Sequence, residues 1–228
     1  MVEIKRKIVL DSAELCLITV GLPSKLPTCV TFSALSNSKP TGEARSGFAE
    51  NFFATRQIPA IHFISKRNHW WHVPEMSEYV QKAKELLAPC ERAVGYGVSM
   101  GAYGCLRFAS DLGLDAVAAF SPQYSADPRI VPWEKRWLIH RSKIKFHEVE
   151  MSFDKKCEVL IFYDPLSLDG PHVDLLMKRN TVFPIKIPGQ GHHLLKYLQA
   201  RGVLSEIIFG IVQKKIKYGE ILELVDKL

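Results

Sequence analysis

The sequence predicts an α/β fold: a mostly parallel sheet with helices on both faces. Three observations carry this reading. Strand-like and helix-like stretches alternate along most of the chain, as parallel strands joined by crossover helices require. The later strand-like stretches are continuous apolar runs, which fits strands covered on both faces. The stretch Gly95-Tyr96-Gly97-Val98-Ser99-Met100-Gly101-Ala102-Tyr103-Gly104 sets a glycine-rich turn between an apolar run and a helix-like segment. With 228 residues, 47% hydrophobic and 24% charged, the chain suits a single domain over 1–228.

Eight strands are expected. Residues 4–10 and 14–20 flank Asp11-Ser12 and read as a tight antiparallel hairpin at a sheet edge. Further runs follow at 28–32, 60–64, 93–96, 115–120, 159–163 and 182–187. Between them, 47–57 reads as a short helix. Residues 74–87 form another, with Pro74 in a first-turn position, Glu75 and Glu78 early, and a stop before Pro89. A helix over 100–112 ends at Gly113, one over 171–178 follows Pro171, and one over 193–201 ends at Gly202. Residues 204–217 and 221–228 read as a final amphipathic pair. The widest interval without a strand, 121–157, reads as a lid-like insertion over the carboxyl ends of the strands, where doubly wound sheets place their ligands. The alternative is a solvated excursion with no catalytic part.

Within the central turn, Gly97-Val98-Ser99-Met100-Gly101 fits G-x-S-x-G between strand and helix, the nucleophile-elbow pattern. A serine raised on so sharp a turn is crowded by the residues two before and two after it, and glycine at both lets strand and helix pass closely. The turn also aims the first amides of the helix at the place where an oxyanion forms. A dinucleotide-binding turn fits less well. Its third glycine is due at Met100, and Asp115, near the ribose-binding distance, begins its strand rather than ending it.

A serine nucleophile needs a base oriented by an acid, in the chain order serine, acid, histidine. His192 follows Gly189-Gln190-Gly191 after a strand and is preferred over His193, which reads as the start of a helix. The acid is Asp164, at a strand tip, or Asp169, five residues on, with a slight preference for Asp169; the unused one is free to cap the helix. His172 and Asp174 read as surface or loop-bracing residues. The oxyanion donors are expected to be the Met100 amide and an amide at Ser33 or Ala34, after the third strand. No metal is expected. His192-His193 lacks a partner at ligand spacing, and His69 and His72 read as structural.

Composition narrows the partners. No apolar run approaches a membrane span, Met1–Lys7 is broken by charge where a signal peptide would be apolar, and five scattered cysteines suit reduced core thiols. These features predict a cytoplasmic protein with no membrane partner. The net charge of +6 is spread along the chain and calls for no nucleic acid. Arg129, Lys135, Arg136, Arg141, Lys143 and Lys145 make the insertion basic, which suits a carboxylate or phosphate on a substrate or, more simply, a solvated surface. Trp70, Trp71, Trp133 and Trp137 either line a sugar or acyl groove or fill the core.

Gly97-Val98-Ser99-Met100-Gly101, an acid at Asp164 or Asp169, Gly191-His192 and the antiparallel first hairpin together resemble the α/β-hydrolase superfamily over essentially the whole chain. Tyr96 to Gly101 and Ala119-Phe120-Ser121-Pro122-Gln123 resemble small bacterial hydrolases. The resemblance implies a Ser/Asp/His triad that hydrolyses an ester, thioester or amide through an acyl-enzyme, with no cofactor. The chain departs from the pattern in having no oxyanion glycine motif near Phe32. The expected substrate is a small acyl ester, acylated sugars among the candidates. The alternatives are a non-catalytic binding module and an acyltransferase using the same triad.

Overall fold

Eight strands form one sheet in the order β1-β2-β4-β3-β5-β6-β7-β8: β1 (Arg6–Asp11), β2 (Leu15–Val20), β3 (Thr28–Phe32), β4 (Ala60–Ser65), β5 (Ala93–Val98), β6 (Ala116–Phe120), β7 (Glu158–Tyr163) and β8 (Phe183–Lys186). The structure is a computed structural model and describes residues 5–36, 45–147, 151 and 153–228. The expected start of β1 at residue 4 lies outside the described residues. β1 and β2 pair antiparallel, as do β2 and β4; every other pairing is parallel. The hairpin between β1 and β2 closes because the Ser12 hydroxyl accepts the Glu14 and Leu15 amides while the Ser12 amide donates to the Leu15 carbonyl at 2.9 Å. β2, β3, β4 and β6 are buried at every position, the two-sided cover that their continuous apolar runs predict.

The helices are α1 (Glu50–Thr55), α2 (Met76–Leu87), α3 (Met100–Arg107), α4 (Ala109–Leu112), α5 (Leu138–Arg141), α6 (Asp169–Arg179), α7 (Leu194–Ala200), α8 (Leu204–Val212) and α9 (Tyr218–Asp226). Several depart from the sequence reading. The expected helix over 100–112 breaks at Phe108 (φ −104°, ψ 11°) into α3 and α4. α8 stops at Val212 rather than at 217, because Lys214 turns left-handed (φ 53°) and the Lys215 amide folds back to the Gly210 carbonyl at 2.7 Å. α5 lies inside the interval 121–157, which was read as free of strands. His193 ends a single 3₁₀ turn, Gly191–His193, and is the N-cap of α7, so the expected helix over 193–201 forms with its cap there.

Alternation along β5 sets what lies on each face. Gly95 and Gly97 face α3, where a Cβ on Gly95 would meet Cys105 and Leu114. Tyr96 points the other way, to Phe48, Phe53 and Phe120. On the α3 side Phe32 stacks on Phe63 at 4.3 Å and takes the edge of Trp71 at 4.9 Å. Among the described residues, no helix is long and apolar enough to cross a membrane.

Candidate active site

β5 ends at Val98 and α3 begins at Met100, so Ser99 makes the whole turn by itself. Its backbone is left-handed (φ 55°, ψ −124°), a strained state for a residue with a Cβ. The Ser99 amide is pinned to the Phe120 carbonyl of β6 at 2.9 Å. The crowding predicted for the flanking glycines is present: a Cβ on Gly97 would lie 2.6 Å from the Gly101 carbonyl carbon, and one on Gly101 would lie 2.3 Å from the Phe32 carbonyl oxygen.

The ends of β7 and β8 carry the other groups. The Ile187 amide bonds the Tyr163 carbonyl at 2.9 Å, which brings the loop after β8 alongside Asp164. Asp164 is buried and accepts the Gly191 amide at 2.6 Å and the Leu166 amide at 2.9 Å, so it fixes the histidine loop through its backbone. Asp169, also fully buried, places both carboxylate oxygens at 2.9–3.0 Å from His192 Nδ1. His192 Nε2 lies 2.9 Å from Ser99 Oγ. With the ring proton on Nδ1 directed at Asp169, Nε2 is left to accept the Ser99 hydroxyl proton. His193 is exposed and takes no part in this chain of bonds. Of the two aspartates left open by the sequence, Asp169 stands behind the imidazole and Asp164 behind its loop.

Residues 121–147 supply a second layer. Arg136 Nη1 donates to Asp169 Oδ1 at 2.8 Å and sits 3.2 Å from His192 Nδ1. Its Nε and Nη2 reach Glu134, which is fully buried and also meets His172 Nε2 at 3.3 Å. Burial alone would raise the Glu134 carboxyl, but the bonds from His172 and Arg136 outweigh it and bring its pKa down to about 2. Burial likewise opposes ionisation of Asp169, yet the His192 bond and the Arg136 charge hold it below the ordinary aspartate value. Arg136 also lies over Trp137, with its guanidinium carbon 4.3 Å from the ring centre. Trp137 in turn contacts Trp70 at 5.5 Å and His192 at 5.7 Å. Gln123 accepts from Trp70 Nε1 at 3.3 Å and donates to Ser99 Oγ at 3.4 Å.

Several expectations need correction. His172, read as a surface or bracing residue, is fully buried beneath the insertion, where its Nδ1 accepts the Tyr124 amide at 3.2 Å. The insertion's arginines are engaged by the protein itself: Arg129 pairs with Asp127, Arg136 with Glu134 and Asp169, and Arg141 donates to the Ala126, Val131 and Glu134 carbonyls. The four tryptophans divide. Trp70 and Trp137 border the site, Trp133 is exposed, and Trp71 is core, its Nε1 donating to the Met100 carbonyl at 2.9 Å. Glu134 was missed altogether, since it matches no period or motif and its only signal is burial, and Gln123 was noticed only within Ala119-Phe120-Ser121-Pro122-Gln123, with no role given to it.

Met100 opens α3, so its amide has no acceptor within the helix. Of the two residues expected to offer a second oxyanion donor, Ser33 spends its amide on the Phe63 carbonyl at 2.9 Å, extending the β3–β4 ladder by one residue. Its hydroxyl faces Ser65 Oγ at 3.1 Å. Ala34 is the next residue along that loop. Among the described residues, no three His, Cys, Asp or Glu side chains are grouped to hold a metal ion. His69 Nδ1 accepts the Trp71 amide at 3.0 Å, and His72 Nε2 meets the Tyr103 hydroxyl at 2.8 Å.

No protein-family model matches the chain, and a search of curated proteins found no match. Solved structures do match. The capsule O-acetyltransferase of Neisseria meningitidis serogroup A is 16% identical over 93% of this chain and 95% of its own, with a TM-score of 0.60. A Pyrobaculum calidifontis esterase is 12% identical over 89% of this chain and 82% of its own, with a TM-score of 0.58. A Xanthomonas campestris α/β serine hydrolase without a lid is 16% identical over 90% of this chain and 94% of its own, with a TM-score of 0.51. At such identities the likeness is one of architecture. With its mostly parallel eight-stranded sheet and antiparallel edge, this chain has the α/β-hydrolase fold.

Proposed function

We propose that this protein is a serine-dependent enzyme that cleaves a small carboxylic ester or thioester through an acyl-enzyme. The observation that carries the reading is the continuous chain from Ser99 Oγ through His192 to buried Asp169, with both links near 2.9 Å. In this reading His192 Nε2 takes the Ser99 proton as Oγ attacks the acyl carbon. Asp169 stabilises the imidazolium that forms. The oxyanion receives the Met100 amide. Collapse breaks the bond to the leaving oxygen or sulfur, which takes the proton from His192. Water, deprotonated by the same imidazole, then attacks the acyl-enzyme and releases the acid. Arg136 is a positioning residue that keeps Asp169 ionised, and residues 121–147 wall the site.

Acyl transfer to an alcohol is the second reading. The fold shared with the capsule O-acetyltransferase supports it, one structure of which, 14% identical with a TM-score of 0.59, is in complex with CoA. Trp137 against His192, with Trp70 against Trp137, favours a site from which water is partly excluded. The test is turnover of p-nitrophenyl acetate. Wild type is expected to turn it over, Ser99→Ala is expected to fall to the buffer rate, and folded wild-type protein without turnover would favour the binding module. Products formed in the presence of added alcohols separate hydrolysis from transfer.

A further inference from the structure

The insertion's basic residues do not all share one fate. Arg129 and Arg136 are paired with carboxylates and Arg141 is buried against backbone carbonyls, whereas Lys143 and Lys145 are exposed, and no described acidic side chain pairs with either. Both line a cleft of about 460 Å³ between the insertion and the loop after β4. Arg67, Asn68, His140 and Ser36 line it too, and among the described residues no carboxylate does. The floor is fixed: the Ser36 amide donates to Asn68 Oδ1 at 3.2 Å and Asn68 Nδ2 donates to the Ser36 carbonyl at 3.0 Å. Arg67 is held at the rim by Glu14. His72 at the back adds no charge, since burial and the nearby Arg107 push its pKa down to about 3.

The cleft sits at the carboxyl ends of β3 and β4, on the side of Ser99 away from His192. One loop walls both places. His69 lines the cleft, and its neighbour Trp70 bonds Gln123, which donates to Ser99. A cavity of this volume accommodates a small organic ligand. Two ammonium groups two residues apart, paired with no described carboxylate and with an imidazole beside them, match the charge of a phosphate monoester, about −1.5 to −2, better than a single carboxylate.

We propose that this cleft binds a phosphate group carried by the ester substrate, with the acyl end of the same molecule at Ser99. The proposal rests on the ester-cleaving reading. The phosphate can belong to the thiol carrier of an acyl thioester or to an acylated sugar phosphate, and the two sources are separable by assay.

The experiment compares kcat/KM for acetyl-coenzyme A, an O-acetylated hexose phosphate and neutral p-nitrophenyl acetate. In the double variant Lys143→Ala/Lys145→Ala, the ratio of phosphorylated to neutral ester is expected to fall about tenfold or more, through KM, since two charge-assisted contacts are lost. The substrate whose ratio falls identifies the source. Lys135→Ala, exposed on the same insertion but outside the cleft, should keep both ratios within about twofold, because a solvated charge contributes little. A second arm titrates inorganic pyrophosphate into Ser99→Ala protein, with binding expected to weaken about tenfold in the double-lysine background. Ratios and pyrophosphate affinity that ignore both lysines overturn the cleft proposal even if turnover is intact. Lysine-dependent pyrophosphate binding in a protein without esterase activity keeps the cleft and overturns the ester reading.

Discussion

The two halves of the candidate site are held by different forces. Ser99, Asp164, Asp169 and His192 follow the ends of β5, β7 and β8, where main-chain amides tie the loops down: Ser99 to the Phe120 carbonyl, Ile187 to the Tyr163 carbonyl and Gly191 to the Asp164 carboxylate. Glu134, Arg136, Trp137 and Gln123, in residues 121–147, reach the same point through side chains alone. Glu134 is fully buried and Arg136 partly so, each satisfied by the other and by His172 and Asp169. The strand-end half therefore tolerates loss of a side chain without loss of the fold. In the ionic half, removing one charge strands its partners in a poorly solvated place. The difference predicts activity defects on one side and stability defects on the other.

The largest effect is expected at the imidazole. His192→Ala should lower p-nitrophenyl acetate turnover about 10⁴-fold or more, while His193→Ala keeps most of it. Comparable losses in both would break the distinction drawn between the adjacent histidines. Next come the two aspartates. Asp169→Asn should cost about three to four powers of ten in kcat, because the amide no longer favours the needed tautomer. Asp164→Asn should cost about one or two, through a loosened Gly191 amide. Equal losses would mean that the acid lies elsewhere.

Glu134→Gln tests the ionic half. It should reduce unfolding free energy by about 3 kcal/mol in urea, leaving Arg136 with Asp169 alone, and reduce turnover far less than Asp169→Asn does. A smaller effect is expected from pH. His72 titrates near its ordinary value of 6.5 when unfolded, but its folded value is pushed down to about 3, by burial first and then by Arg107. Below pH 6.5 the unfolded chain takes up a proton that the folded chain refuses. Its contribution is therefore complete above that pH and is lost as the pH falls, at about 1.4 kcal/mol per unit. His72→Phe should flatten that slope between pH 6.5 and 4, as measured by urea unfolding at each pH; an unchanged slope would place the titrating group elsewhere.

Legibility in the sequence followed the same division. The inner strands were readable because burial on two faces leaves a local signature, the apolar run, and β3 falls within the same bounds in sequence and structure, while exposed β1 was readable from the turn at Asp11-Ser12. Ser99 and His192 were readable because a sharp turn needs glycine beside it. The choice between Asp164 and Asp169 was not settled, since both follow the same strand and only the fold back of the loop separates them. Arg136 was visible only as one of six basic residues; what distinguishes it from Lys143 is a buried Glu134, and nothing periodic marks a residue paired across 33 positions, as Arg136 is with Asp169. Ser33 was misread because the β3–β4 ladder runs one residue past the end of β3 and claims its amide.

The central claim is that Ser99 is made nucleophilic by His192. Treating folded protein with a fluorophosphonate and mapping the adduct by peptide mass spectrometry tests it most directly. The account predicts one adduct on Ser99, absent in Ser99→Ala and strongly slowed in His192→Ala. An adduct on another residue, or labelling of Ser99 at an undiminished rate without the imidazole, would contradict it.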